Sequence, residues 1–134
     1  MRVLSSEILP VRQESDLVSV RQLVRERAKG LGFGILDLTK VLTSASELGR
    51  NTLLHAGGGT MLLETLEDEM RRGLRMSFED QGPGIEDVSL AMTDGYTTNG
   101  GMGLGLSGSK RLMHEFEIST RVGGGTRVTV TQWT

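Results

Sequence analysis

The stretch Leu74-Arg75-Met76-Ser77-Phe78-Glu79-Asp80-Gln81-Gly82-Pro83-Gly84-Ile85 alternates apolar and polar residues as far as Asp80 and then breaks into glycine and proline. Alternation with a period of two marks a strand with one buried face. Leu74, Met76 and Phe78 therefore face a core, and Arg75, Ser77 and Glu79 face away. The same period puts Asp80 on the core face at the end of the strand. An inward carboxylate needs a partner, and Gly82 and Gly84 let the backbone approach that partner closely. Two readings stay open: a tight turn in which Asp80 caps backbone amides, or a purine whose exocyclic amine donates to the carboxylate.

Working outward, residues 60–65 read as a strand that forms an antiparallel hairpin with 74–80 across a charged turn at 67–73. Residues 2–11, ending near Pro10, suit a short edge strand. Ser15 is placed to cap a helix with Asp16 in its first turn, and Leu17, Val20, Val24, Ala28 and Leu31 recur at helical spacing until Gly30 and Gly32 close it. A second helix over 36–55 carries Leu38, Leu42, Ala45 and Leu48 as its apolar stripe and stops at the glycines 57–59. Residues 81–103 hold turn formers and no sustained period beyond a short helical turn near 88–92, and loops of that length are commonly lids or binding loops.

Residues 104–114 form a helix entered from a glycine-rich turn. Strands at 116–122 and 126–132 flank the glycines 123–125, with Thr126, Val128 and Val130 on one face. The order β, α, α, β, β, loop, α, β, β predicts an α+β fold: a two-layer α/β sandwich whose sheet is covered on one face by helices. With no internal repeat and no linker, residues 1–134 are expected to form a single domain.

Composition narrows the function. Hydrophobic residues make up 37% and charged residues 24% of the chain, as in a folded globular protein, and no apolar run reaches membrane length. The chain has no cysteine, and its first ten residues lack the apolar stretch of a secretory signal, so a cytoplasmic location without a membrane partner is expected. A net charge of -2, with basic residues scattered among acids, leaves no footprint for nucleic acid. The 19 glycines are about twice the average share, and they cluster at turns.

Glu47 and Asn51 lie four apart on the second helix, hence on one face. A carboxylate beside an amide oxygen can polarise a nucleophile and hold magnesium, although the pair alone reads first as a solvated surface pair. The run Gly100-Gly101-Met102-Gly103-Leu104-Gly105-Leu106 leads into a helix whose free amides suit a phosphate chain. By itself it is equally a mobile loop. A dinucleotide site is disfavoured because no parallel unit precedes it, and Lys110, five residues after Gly105, does not make a Walker loop. Thr126 points inward at the start of the last strand. If its strand neighbours that of Asp80, the two can grip one polar ligand edge; alone it is a strand threonine satisfied by backbone. His55 and His114 read as structural or exposed.

In order and spacing, Glu47-Leu48-Gly49-Arg50-Asn51, residues 80–85 and residues 100–106 resemble the N, G1 and G2 boxes of the GHKL (Bergerat-fold) ATPases. Leu31-Gly32-Phe33-Gly34, Ser46-Glu47-Leu48 and Lys110-Arg111-Leu112-Met113 extend the similarity, over nearly the whole chain, to the RsbT-type serine/threonine switch kinases. The resemblance implies an ATP pocket between a helical layer and a mixed, mostly antiparallel sheet. It implies Glu47 as the general base or nucleophile orienter and Asn51 as the magnesium ligand. Asp80 would read the adenine amine with support from Thr126, and Gly82, Gly84, Ile85, Gly101, Gly103, Leu104 and Gly105 would line the nucleotide, with 82–105 as its lid.

The same resemblance implies ATP and Mg2+ as cofactors, STAS-domain proteins as substrates, and activation of a PP2C-type phosphatase in stress-response partner switching; a homodimer is compatible with it. One departure is that Thr98 and Asn99 stand where some related anti-sigma kinases carry a basic lid residue. Lys110, Arg111 and Arg50 are then the candidates to neutralise the γ-phosphate, each also readable as a surface charge. The alternative class is a nucleotide-gated anti-sigma-type binding switch with little kinase activity. An ATPase clamp, which needs further domains, is the third.

Overall fold

The computed structural model describes residues 1–85, 92 and 105–134. The described elements run β1 (Arg2–Val11), α1 (Glu14–Gly30), α2 (Ile35–Ala56), β2 (Gly59–Glu67), β3 (Arg72–Asp80), α3 (Gly105–Leu112), β4 (Glu115–Arg121) and β5 (Gly125–Trp133). The five strands form one sheet in the order β1-β2-β3-β5-β4. Every pairing among them is antiparallel. The chain leaves β3, returns through α3 to lay β4 at the far edge, and folds back so that β5 fills the place between. The α+β architecture expected from the sequence is the one observed.

Each helix buries the stripe that its spacing dictates. Leu17, Val20, Val24 and Ala28 of α1 are buried. The helix is not capped by Ser15, which lies inside its first turn: Asp16 Oδ2 reaches back to accept from the amides of Arg12 at 2.9 Å and Gln13 at 3.2 Å. Gln13 is the N-cap, and a carboxylate at the third helical position that reaches back to the N-cap amide is the reciprocal half of a capping box. In α2, Val41 joins Ala45 and Leu48 in the core, while Leu38 and Leu42 are only half-buried. Gly57, at φ +71°, closes α2 in the left-handed conformation with its amide on the Leu53 carbonyl, and Gly59 already opens β2.

The inward faces of the sheet meet these helices. Leu74, Met76 and Phe78 of β3 are buried as their alternation requires, between Met61 and Leu63 of β2 and Val128 and Val130 of β5. α1 and α2 pack on one another, and α3 packs chiefly against α2. Leu48, 2% exposed, sits at the middle of this layer; truncating it to alanine would cost about 2–5 kcal/mol in lost burial and cavity. Among the described residues no helix is long and apolar enough to cross a membrane.

Candidate functional site

At the end of β3 three strands are drawn unusually close. Gly59 of β2 pairs with Asp80, and a Cβ built on Gly59 would lie 2.0 Å from the Glu79 carbonyl oxygen. On the other side a Cβ on Gly125 of β5 would lie 2.1 Å from the Asp80 carbonyl oxygen, and Gly125 has φ +89°. Neither Gly59 nor Gly125 could therefore carry a side chain without displacing the backbone at this strand end. The result is a carboxylate held at a fixed place on the helix-covered face of the sheet.

The half-buried Asp80 carboxylate accepts from the Gly82 amide at 2.9 Å and from the Thr126 amide at 3.2 Å, both at Oδ1. The amide-capping reading of Asp80 is thus realised. Both of these bonds fall on one oxygen, so it does not exclude a ligand at Oδ2. Thr126 does neighbour Asp80, because β3 and β5 pair directly.

A second threonine completes the arrangement. Thr120 Oγ1 lies 2.9 Å from Thr126 Oγ1 and accepts from the Ile85 amide at 2.9 Å. The Pro83 carbonyl accepts from the Gly123 amide at 2.8 Å, and a Cβ on Gly84 (φ +77°) would lie 2.2 Å from the Arg121 carbonyl oxygen. Residues 82–85 are therefore stitched to the β4–β5 hairpin. Gly84 is needed for that stitching, whatever else approaches it. Sequence reasoning missed Thr120, although its place two residues after the inward Ile118 was a usable signal.

The other wall is α2. Asp37, Ser44 and Asn51 recur every seven residues, which in an α-helix drifts only about 20° per interval, so they form one stripe with Glu47 beside it. Asp37 Oδ1 accepts from Gln132 Nε2 on β5 at 3.2 Å, which turns this stripe toward β5 and α3. The opposite flank, at Gly49, meets Leu17 of α1. Glu47 and Asn51 are both half-buried there. Gly105 opens α3, whereas Gly101, Gly103 and Leu104, like Thr98 and Asn99, lie outside the described residues.

The candidate cations are placed less favourably. Arg50 is exposed, and Lys110 and Arg111 are in the last turn of α3, away from its amide-bearing N-terminus. His114 is exposed, and its Nδ1 accepts from the Trp133 amide at 2.9 Å, a structural role. Among the described residues no cluster of three His, Cys, Asp or Glu side chains could hold a metal ion. Magnesium that takes most of its ligands from phosphates and water needs no such cluster, and a single amide oxygen such as that of Asn51 fits it.

Residues 36–133 match the family described as histidine kinase-, DNA gyrase B-, and HSP90-like ATPase. The chain is 46% identical over 123 residues to the serine/threonine-protein kinase RsbT of Bacillus subtilis (strain 168), covering 92% of each chain. It is 29% identical over 97 residues to the anti-sigma F factor of Clostridium novyi (strain NT), covering 69% of this chain and 68% of that one. Among solved structures, it resembles the RsbU and RsbW domains of a Mycobacterium tuberculosis protein, with a TM-score of 0.65 at 20% identity, over 96% of this chain and 32% of that one. It also resembles the mycobacterial sensor histidine kinase MprB, with a TM-score of 0.59 at 15% identity, over 96% and 97% of the two chains. The two structural likenesses speak for the fold.

Proposed function

This chain belongs to the histidine kinase-, DNA gyrase B-, and HSP90-like ATPase family, in its branch of RsbT-type serine/threonine kinases, and we propose that it transfers the γ-phosphoryl group of ATP to a Ser or Thr of an STAS-domain partner protein. The observation that carries this reading is the meeting of a fixed carboxylate, Asp80, with Thr126 and the 82–85 turn at one end of a sheet whose covering helix bears Glu47 and Asn51. In this reading residues 1–134 act as one kinase domain, and the liberated kinase activates a PP2C-type phosphatase.

Each residue has a distinct task. Asp80 accepts the exocyclic amine of adenine, with Thr126 beside it, and Gly82, Gly84 and Ile85 shape the ring's approach. Gly101, Gly103, Leu104 and Gly105 bring backbone amides to the phosphates at the head of α3. Asn51 offers its amide oxygen to magnesium, which when bound supplies charge neutralisation to the phosphates. Glu47 takes the proton of the acceptor hydroxyl as its oxygen gains the phosphoryl group and ADP leaves. Phosphoryl transfer of this kind depends on positioning and charge more than on covalent help from the protein.

The anti-sigma F relatives favour a second reading, in which the chain is a nucleotide-gated binding switch that sequesters its partner and transfers little phosphate. Intact-mass analysis of an STAS-domain partner after incubation with Mg-ATP and the chain separates the two. A gain of one phosphoryl group supports the kinase. Nucleotide-dependent complex formation without mass gain, unaffected by Glu47→Ala, supports the switch.

A further inference from the structure

Gln132 is wholly buried at the C-terminal end of β5, and both ends of its amide are engaged. Its Oε1 accepts from the His114 amide at 2.9 Å, just past the end of α3, and its Nε2 donates to Asp37 Oδ1 at 3.2 Å, in the first turn of α2. One residue further on, the Trp133 amide donates to His114 Nδ1. Gln132 thereby ties the exit of α3 to the start of the helix that carries Glu47 and Asn51.

The helix α3 also sets Leu106 and Leu112 against the core, and the buried Met113 follows at its end. The helix packs chiefly on α2, with a lesser contact on β4. Ser44 of α2 and Ser107 and Ser109 of α3 are buried, and among the described residues their hydroxyls have no hydrogen-bond partner. Apolar burial of the kind that seats Leu106, Leu112 and Met113 is non-directional. The tie at its exit adds a directional constraint between α3 and α2.

We propose that Gln132 is a positioning residue for phosphoryl transfer, acting through Asp37 and the His114 amide to hold α3 at a fixed distance from Glu47 and Asn51. This rests on the kinase reading for its catalytic consequence, though not for the tether itself. Loss of the tie lets α3 shift as a unit against α2 while leaving the adenine contact at Asp80 in place, so transfer suffers more than nucleotide binding.

Three variants of the full chain test this. Gln132→Met keeps bulk and removes both bonds, Asp37→Ala removes the acceptor, and Asp37→Asn keeps an acceptor oxygen at the same place. Single-turnover transfer, well below each variant's unfolding midpoint, should slow about tenfold or more in the first two with nucleotide Kd within about threefold, as expected for misplaced reacting groups. Asp37→Asn should stay within about twofold of wild type on the same grounds.

The chain has no cysteine, so spin labels at the exposed positions 43 and 110, introduced as Thr43→Cys and Lys110→Cys, report the α2–α3 separation directly. A narrow distance distribution in wild type and Asp37→Asn, broadened in Gln132→Met and Asp37→Ala, supports the tether. An unchanged distribution in Gln132→Met, or a lower unfolding midpoint with unchanged transfer rate, overturns it. A wild type that transfers no phosphate but shows the broadening contrast defeats the kinase reading and leaves the tether standing.

Discussion

Replacing Asp80 by Asn changes one oxygen of the carboxylate and keeps the other. The amides of Gly82 and Thr126 both bond to Oδ1, and an asparagine oriented by them retains that acceptor. The turn and the β3–β5 junction should survive, with unfolding free energy changed by less than about 1 kcal/mol, since no backbone donor is orphaned. At the other oxygen an acceptor becomes an NH2 donor, facing the donor amine of adenine. Losing a hydrogen bond to a charged acceptor and leaving a donor unpaired costs about 1–3 kcal/mol, which at 1.4 kcal/mol per decade is about 5- to 150-fold in Kd. The half-buried setting of Asp80 places the expected loss toward the lower end, about tenfold. Titration with a fluorescent ATP analogue, beside urea unfolding of the same preparation, measures both quantities. Unchanged ATP affinity in a normally folded Asp80→Asn chain would show that the carboxylate does not read adenine. Asp80→Ala is the contrasting control: it should lose binding and also about 1–3 kcal/mol of stability, because two backbone amides lose their acceptor.

Three further outcomes are expected. Asn51→Ala should weaken ATP binding in the presence of magnesium and leave it nearly unchanged in EDTA; isothermal titration with and without the metal checks this, and equal losses would count against a metal role. Gly125→Ala should lower stability by about 3 kcal/mol or more in a urea melt, because its Cβ would press on the Asp80 carbonyl at a φ that favours glycine; a wild-type midpoint would contradict the close strand approach. Asp68, held below its ordinary 3.8 first by its hydrogen bond from the Arg71 side chain, contributes stability present above the unfolded pKa and lost as pH falls through the lower folded value. Asp68→Asn should therefore flatten the stability profile in the acid range below pH 4, and an unaltered profile would remove that contribution.

The faces of the elements were legible because periodicity is local. Leu74, Met76 and Phe78 had to be inward whatever their strand paired with, and so did Leu17, Val20, Val24 and Ala28 of α1. Beyond the β2–β3 hairpin, which the charged turn between two strands did announce, the neighbours were not legible, since a period of two fixes which side a residue faces and says nothing about which strand lies beside it. The contact between Thr126 and Asp80 was conditional on the pairing of β3 with β5, and the place of Thr120 depends on the β4–β5 register. Gln132 read only as the last residue of a strand, because its partners, Asp37 and His114, are far away in sequence. That Gln13, and not Ser15, is the N-cap of α1 turned on a shift of two residues at the helix start, where periodicity does not fix the boundary.

The most direct test of the account is single-turnover transfer of labelled γ-phosphate from Mg-ATP to an STAS-domain partner, with nucleotide binding measured on the same wild-type and Glu47→Ala samples. The account predicts label on a Ser or Thr of the partner with wild type, and none with Glu47→Ala although it still binds ATP. Equal labelling by both proteins would contradict the role of Glu47, and bound ATP with no labelling by the wild type would contradict the kinase itself.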